Sequence, residues 1–229
     1  MVSQSEPLTW SGPLFSPLLE AAIRLAAQGH YHQFRKRSPG EESCGDPADG
    51  PLPESCIPYI THLMGSMCIL ARLGARDEVL AAALLHDYLE DVPDPDGRLT
   101  IRRAVGPEVL DLVLEVTEDK RDNLADSETW EIRKREQIAR IDAMSDDAVL
   151  IKAADLLHNV QTLLTDLDAT DRTTAVWERL NAGPDRQMWY FTAVLDAARR
   201  RLGEHPLVRE LERAVGELER HVESAAGTP

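Results

Sequence analysis

The stretch Leu84-Leu85-His86-Asp87-Tyr88-Leu89-Glu90-Asp91 sets an imidazole beside a carboxylate and follows them, one helical turn later, with an acidic pair. Residues four apart on an α-helix share a face, so Glu90 is expected over His86 and Asp91 over Asp87. The run Ala81-Ala82-Ala83-Leu84-Leu85 before them reads as buried helix. Buried carboxylates are costly unless paired or bound to a cation. The first chemistry these residues suggest is therefore a metal with an activating carboxylate nearby. The plainer alternative is a solvated helix C-terminus.

Two other polar residues stand in apolar helical surroundings. Asp155 lies among Ala, Leu and Ile, which is unfavourable by propensity and by burial, so it asks for a partner. A basic side chain is the ordinary answer. Asn159 follows four residues later, and His158 beside it reads as a packed histidine. His62 opens a second helix. Together His62, His86, Asp87 and Asp155 form a mixed nitrogen and oxygen set, with Glu90 and Asp91 one turn on. That set suits an octahedral first-row divalent ion with open positions better than a closed zinc site. Water at such an ion loses its proton more readily, and a neighbouring carboxylate can take it.

The run His30-Tyr31-His32-Gln33-Phe34-Arg35-Lys36-Arg37 is a basic cluster just past a helix end. Cations favoured at a helix C-terminus explain it as well as phosphate binding does. Cys44 and Cys56 could join His30 and His32 around zinc, although the spacing matches no familiar ligand pattern. The three cysteines form no disulfide framework and are expected as reduced thiols, with Cys68 in the core.

The elements that must position these groups are all helical. Ser16-Pro17 reads as an N-cap and first helical residue for a helix ending near Gly29. Residues 38–57 form a loop unusually long for a connection inside a compact domain. A second helix runs from about His62 to Leu73 with Gly74 as C-cap, and Asp77 caps a third that continues into the acidic pair. Thr100 caps a short segment, and Gly106-Pro107 restarts a nearly all-apolar, central helix. Ser127 opens a helix whose Arg133, Lys134 and Arg135 are successive around the axis, so they cannot all face one ligand; that face reads as solvated. Ser145 caps a helix over about 146–164, and Trp177 sits in a short one. Pro184 and Pro206 begin the last two. No repeat and no persuasive strand is present. The expectation is an all-α bundle: a flexible segment 1–15, a domain over 16–203 with the loop 38–57 inserted, and a C-terminal helix within 204–229 packed on it.

Composition narrows the function classes. Among 229 residues, 43% are hydrophobic and 28% charged, enough to bury a sizeable core. The formal net charge of −15 opposes binding to nucleic-acid backbone or an anionic membrane. No run approaches a membrane span, and residues 1–15 lack a basic region followed by an apolar one, so the cytoplasm is the expected location.

The order of the pieces resembles the HD-domain superfamily and, within it, the hydrolase domain of RelA/SpoT homologues. They are His30-x-x-Gln33-x-Arg35-Lys36, Pro58-Tyr59-Ile60-x-His62, Ala83-Leu84-Leu85-His86-Asp87-x-x-Glu90-Asp91, Thr100 to Gly106, Val116-Thr117-x-Asp119-Lys120, and Leu150-Ile151-Lys152-x-Ala154-Asp155-x-x-His158-Asn159. The resemblance implies an all-α HD bundle and a manganese ion held by His62, His86, Asp87 and Asp155. It further implies water handling by Glu90 and Asp91, phosphate contacts from Arg35 and Lys36, and Asn159 near the nucleotide. Tyr190 aligns loosely with an aromatic near the nucleotide in stand-alone members. The implied reaction removes the 3′-pyrophosphate of guanosine tetra- or pentaphosphate. The implied partner is a small nucleotide, and a homo-oligomer is compatible with the sequence. Two features depart from the pattern: Leu63 stands where proline usually follows the histidine, and the loop 38–57 is longer than usual. The alternatives are an HD phosphohydrolase acting on another nucleotide (an adenosine analogue, a nucleoside monophosphate or a dinucleotide phosphate such as NADPH) and a catalytically silent nucleotide sensor.

Overall fold

The computed structural model describes residues 13–35, 44–46, 50, 52–53, 56–119, 126–170 and 173–226. In chain order the helices are α1 (Pro17–Gly29), α2 (Ile60–Arg72), α3 (Asp77–Leu85), α4 (Tyr88–Asp91), α5 (Gly97–Val105) and α6 (Pro107–Val116). They continue with α7 (Asp126–Ile141), α8 (Asp146–Asp168), α9 (Thr173–Glu178), α10 (Pro184–Leu202) and α11 (Pro206–Ala226). The all-α architecture expected from periodicity is present.

Several boundaries follow from local chemistry. The Ser16 side chain accepts from Leu19 N and Pro17 opens α1. The Ser145 side chain likewise accepts from Ala148 N at the start of α8. Gly106, at φ +90°, makes a turn that a side chain would strain, and Pro107 then starts α6.

Two helices form the centre. Every residue of α3 from Val79 to Leu85 is buried, the pattern of a helix surrounded by others. It packs against α1, α2 and α6. The long α8 packs against α2, α10 and α11, so the end of α3 and the middle of α8 meet around the start of α2. From α11, Leu207, Leu211 and Leu218 enter the same continuous core. Leu211→Ala is expected to lower stability by about 2–5 kcal/mol, the range for truncating a fully buried leucine, as read by denaturant unfolding.

The structure corrects several readings of the sequence. Phe34–Arg35 (β1) and Ile57–Pro58 (β2) pair antiparallel, Arg35 opposite Ile57; a ladder this short has no period to detect. Helix α3 stops at Leu85, and Asp87 (φ −96°, ψ 0°) breaks the run before α4, so the motif spans two helices and not one. Arg76, not Asp77, stands at the N-cap of α3. Thr100 lies inside α5, where its hydroxyl donates to Asp94 Oδ2 at 2.7 Å. Cys44 and Cys56 form a disulfide, so their sulfurs hold each other and not zinc. Cys68 is exposed, on the solvent face two turns beyond exposed Thr61. Lys36, an expected phosphate contact, lies outside the described residues, as does most of the loop 38–57.

Candidate active site

The break at 86–87 turns His86 and Asp87 towards the start of α2 and the middle of α8. His86 Nε2 lies 3.2 Å from His62 Nε2 and 3.2 Å from Asp87 Oδ2. Asp155 Oδ1 approaches the same nitrogens, 3.1 Å from His62 and 3.7 Å from His86. Ligand atoms of His62, His86 and Asp87 all lie within 4.8 Å of one another, close enough to hold a metal ion.

The far side of each ring decides what faces the centre. His86 Nδ1 is 2.8 Å from Ala83 O, which can only accept, so Nδ1 carries the proton and Nε2 presents a lone pair. Arg35 Nη1 approaches His158 Nδ1 at 3.5 Å, and arginine can only donate. His158 Nδ1 is therefore an acceptor, and His62 Nδ1, 2.9 Å away, donates to it. In that tautomer His62 Nε2, 3.1 Å from Asp155 Oδ1, faces the centre with its lone pair. Two imidazole nitrogens 3.2 Å apart, each also near carboxylate oxygens of Asp87 and Asp155, form a place where positive charge is favoured. Ligands about 2.1 Å from one ion and at right angles stand about 3.0 Å apart, so the donor set fits a divalent cation.

Protonation states in the cation-free site agree. Burial opposes charge on His86, yet Asp87 and Asp155 raise its pKa to about 9. Burial holds that of His62 below its usual value. Burial works against ionised Asp155, but Lys152, His62 and His86 keep its carboxyl well below the usual carboxylate range.

Around this centre lies a layer of supports. The Tyr59 hydroxyl donates to Asp87 Oδ2 at 2.7 Å, and its ring stacks on buried His30 at 5.0 Å. Lys152 Nζ pairs with Asp155 Oδ2 at 3.0 Å while Oδ1 faces the histidines. Asp155 thus has the basic partner expected for it on one oxygen and faces the two histidines with the other. Gly65 lets α2 approach α8 closely: a Cβ there would stand 2.2 Å from the His158 ring. Gly65→Ala is expected to displace His158, cost about 1–3 kcal/mol as overpacking, and weaken metal binding through His62, read by thermal unfolding with and without added cation.

Glu90 and Asp91 line the same cavity of about 350 Å³ as His62, His86, Asp87 and Asp155. Glu90 Oε1 accepts from Glu118 N at 2.7 Å. Burial, then repulsion from Asp87 and Glu118, pushes the Glu90 carboxyl up to about 8. A carboxylate so disfavoured binds a proton readily near neutral pH, as a general base must. On its other side the acidic pair borders a larger cleft of about 1090 Å³.

The substrate-contact candidates divide between two cavities. Arg35 donates to Asn159 Oδ1 at 2.8 Å, and both line the metal cavity and a second, more apolar one of about 210 Å³. Tyr190 lines only the second, where its hydroxyl donates to Gln137 and Lys134 Nζ lies 4.8 Å from its ring centroid. Arg133 and Lys134, expected on a solvated face, point inward instead. Both bond Glu118, at 3.3 and 2.5 Å, and both line the metal cavity, while Arg135 turns outward to Glu131. Sequence reasoning assigned no role to Tyr59, Glu118, Lys134 or Lys152. The three-residue spacing of Lys152 and Asp155 was the one available signal.

An HD domain family profile matches residues 48–185, more than half of the 229. The bifunctional (p)ppGpp synthase/hydrolase SpoT of Escherichia coli K12 is 38% identical over 120 residues, which is 52% of this chain and 16% of SpoT. The chain therefore spans about a sixth of the length of that relative. The guanosine-3′,5′-bis(diphosphate) 3′-pyrophosphohydrolase MESH1 of Mus musculus is 37% identical over 148 residues, 64% of this chain and 69% of MESH1. Among solved structures, a metazoan orthologue of SpoT that hydrolyses ppGpp superimposes with a TM-score of 0.62 at 29% identity, covering 91% of this chain and 97% of that one. The protein lmo0812 of Listeria monocytogenes EGD-e gives 0.59 at 31%, covering 70% and 95%. A profile spanning most of the helices that build the site, and a relative matched over more than two thirds of its own length, establish this chain as a member of the HD domain family.

Proposed function

We propose that this protein is a manganese-dependent hydrolase that removes the 3′-pyrophosphate of guanosine tetra- or pentaphosphate, yielding GDP or GTP and pyrophosphate. The observation that carries the reading is the facing pair of Nε2 atoms of His62 and His86 beside half-buried Glu90, in a cavity that shares Arg35, Lys134 and Asn159 with a second one. The likeness to proteins whose names specify this reaction supports the substrate.

In this reading His62, His86, Asp87 and Asp155 hold the cation. A divalent cation held by these residues would supply Lewis-acid chemistry to the phosphoryl group and the attacking water. Glu90 takes the proton of the attacking water, and Asp91 beside it orients that water. Water oxygen bonds to the phosphorus attached at the 3′ position, the bond from phosphorus to the 3′ oxygen breaks, and that oxygen takes up a proton. Arg35, Lys36 and Lys134 meet the phosphate charges, Asn159 the sugar, and Tyr190 the nucleoside. The net charge of −15 supports a free nucleotide over a nucleic acid, and we take the cytoplasm as the place of action. Among the described residues, no helix is long and apolar enough to cross a membrane.

Purified protein with manganese and guanosine 3′,5′-bis(diphosphate) should release pyrophosphate and GDP. Intact substrate after long incubation, or orthophosphate as the released product, would refute the reading.

A further inference from the structure

Gln33 stands half-buried between the end of α1 and β1, and its side-chain amide spans two elements. Nε2 donates to Asp91 O at 2.6 Å, and Oε1 lies 2.6 Å from His30 Nδ1. A backbone carbonyl can only accept, so the amide is fixed with its oxygen towards His30, and His30 Nδ1 donates to it. His30 is 2% exposed and its Nε2 has no hydrogen-bond partner among the described residues, so the polar contact of this ring is with Gln33.

What Gln33 holds at Asp91 is a short piece of helix. Helix α4 has four residues, a length with no stability of its own, and the Asp91 carbonyl is one that such a helix leaves unpaired at its C-terminus. Its position is therefore set from outside. Tyr88 meets the end of α1, edge-on to the His30 ring at 6.3 Å and so near Gly29 that a Cβ there would stand 2.7 Å from it. Gln33 adds a hydrogen bond at the acidic pair itself. Through its backbone the same residue reaches the rest of the site: Gln33 O accepts from Tyr59 N at 2.9 Å, and the Tyr59 hydroxyl donates to Asp87. Two residues on, Arg35 donates to Asn159. One residue thus ties the acidic pair to the strand that carries Arg35 and to the tyrosine that steadies Asp87.

We propose that Gln33 is a positioning residue for hydrolysis, whose amide holds α4 so that Glu90 stands at the attacking water. The role rests on the hydrolase reading above. Gln33→Glu keeps the shape and can still accept from His30, but it cannot donate to Asp91 O and repels it. With manganese and guanosine 3′,5′-bis(diphosphate), kcat should fall at least about tenfold, as a displaced catalytic group implies, while KM and calorimetric manganese affinity stay within about twofold. In a Glu90→Gln background the same substitution should lower kcat by less than about threefold, because a residue acting through Glu90 has nothing left to position. A full loss in both backgrounds, a change in KM alone or an unchanged kcat would overturn the proposal. Hydrogen exchange at the Asp91 and Val92 amides reads α4 without turnover, and should be at least about tenfold faster in Gln33→Glu. Faster exchange in a chain that leaves this substrate intact would reject the reaction and keep the clamp on α4; hydrolysis with exchange and kcat both unchanged would do the reverse. If Gln33→Glu does not fold, Gln33→Met, which brings no charge, goes through the same measurements. Failure of both to fold would overturn the proposal, since positioning presupposes a fold that stands without the amide.

Discussion

Glu90→Gln is expected to yield a folded protein that still binds a divalent cation and hydrolyses guanosine 3′,5′-bis(diphosphate) about 10²–10⁴-fold more slowly, the span that one positioned proton acceptor contributes. The substitution keeps shape and burial, and the amide oxygen can still accept from Glu118 N as Oε1 does now. It removes only the capacity to take a proton. A pH signature accompanies the loss of rate. With the Glu90 carboxyl at about 8 in the cation-free fold against 4.5 ordinarily, the folded protein keeps a proton that the unfolded chain releases between those values. The unfolded state binds fewer protons there, so stability falls as pH rises across that window. Thermal midpoints in chelator should therefore decline from about pH 5 to 8 in the wild type and less in Glu90→Gln. Unchanged turnover would remove Glu90 from the mechanism. An unchanged slope with lost turnover would place its raised pKa in doubt while keeping its role.

What could be read from the chain divides by range. Caps and breaks are local, so Ser16-Pro17, Gly106-Pro107 and Ser145 marked their helices correctly. His86 and Asp87 stood out because polar groups among Ala81 to Leu85 are costly, and that same cost singled out Asp155. Each reading used a neighbour within one turn. The interruption of the helix at Asp87 leaves no mark in the periodicity of the chain. Arg133 and Lys134 were misread for the same reason. A basic residue on a helix is solvated by default, and only the return of Glu118, fifteen residues earlier, makes an inward path favourable. The Cys44–Cys56 bridge and the β1–β2 pairing are likewise contacts across a loop, and composition argued against the first. Placing His62 and Asp155 beside His86 took the resemblance of ordered motifs. The distances bring these groups together on their own terms, since the two Nε2 atoms face each other and Asp155 Oδ1 approaches both.

The divided use of Asp155 leads to the largest expected effect on the fold. Oδ2 holds Lys152 at 3.0 Å and Oδ1 faces His62 at 3.1 Å, so one carboxylate ties a buried cation to the metal-type site. Asp155→Ala leaves Lys152 buried without its partner and should cost about 3–5 kcal/mol of stability, together with cation binding. Asp155→Asn separates the two roles. Its amide oxygen can still accept from Lys152, so most of the stability should remain, while the loss of one negative charge weakens the cation site. Lys152→Met tests the converse. Without the ammonium, Asp87, Asp155 and Glu90 repel one another more strongly in the cation-free protein, and an added cation relieves more repulsion than it does in the wild type. The rise in melting temperature on adding manganese should therefore be larger in Lys152→Met than in the wild type, small in Asp155→Asn and absent in Asp155→Ala. An equal rise in all four proteins would mean that the cation sits elsewhere. A smaller rise in Lys152→Met would mean that the lysine holds Asp155 in its binding geometry, and not that it competes with the cation for charge.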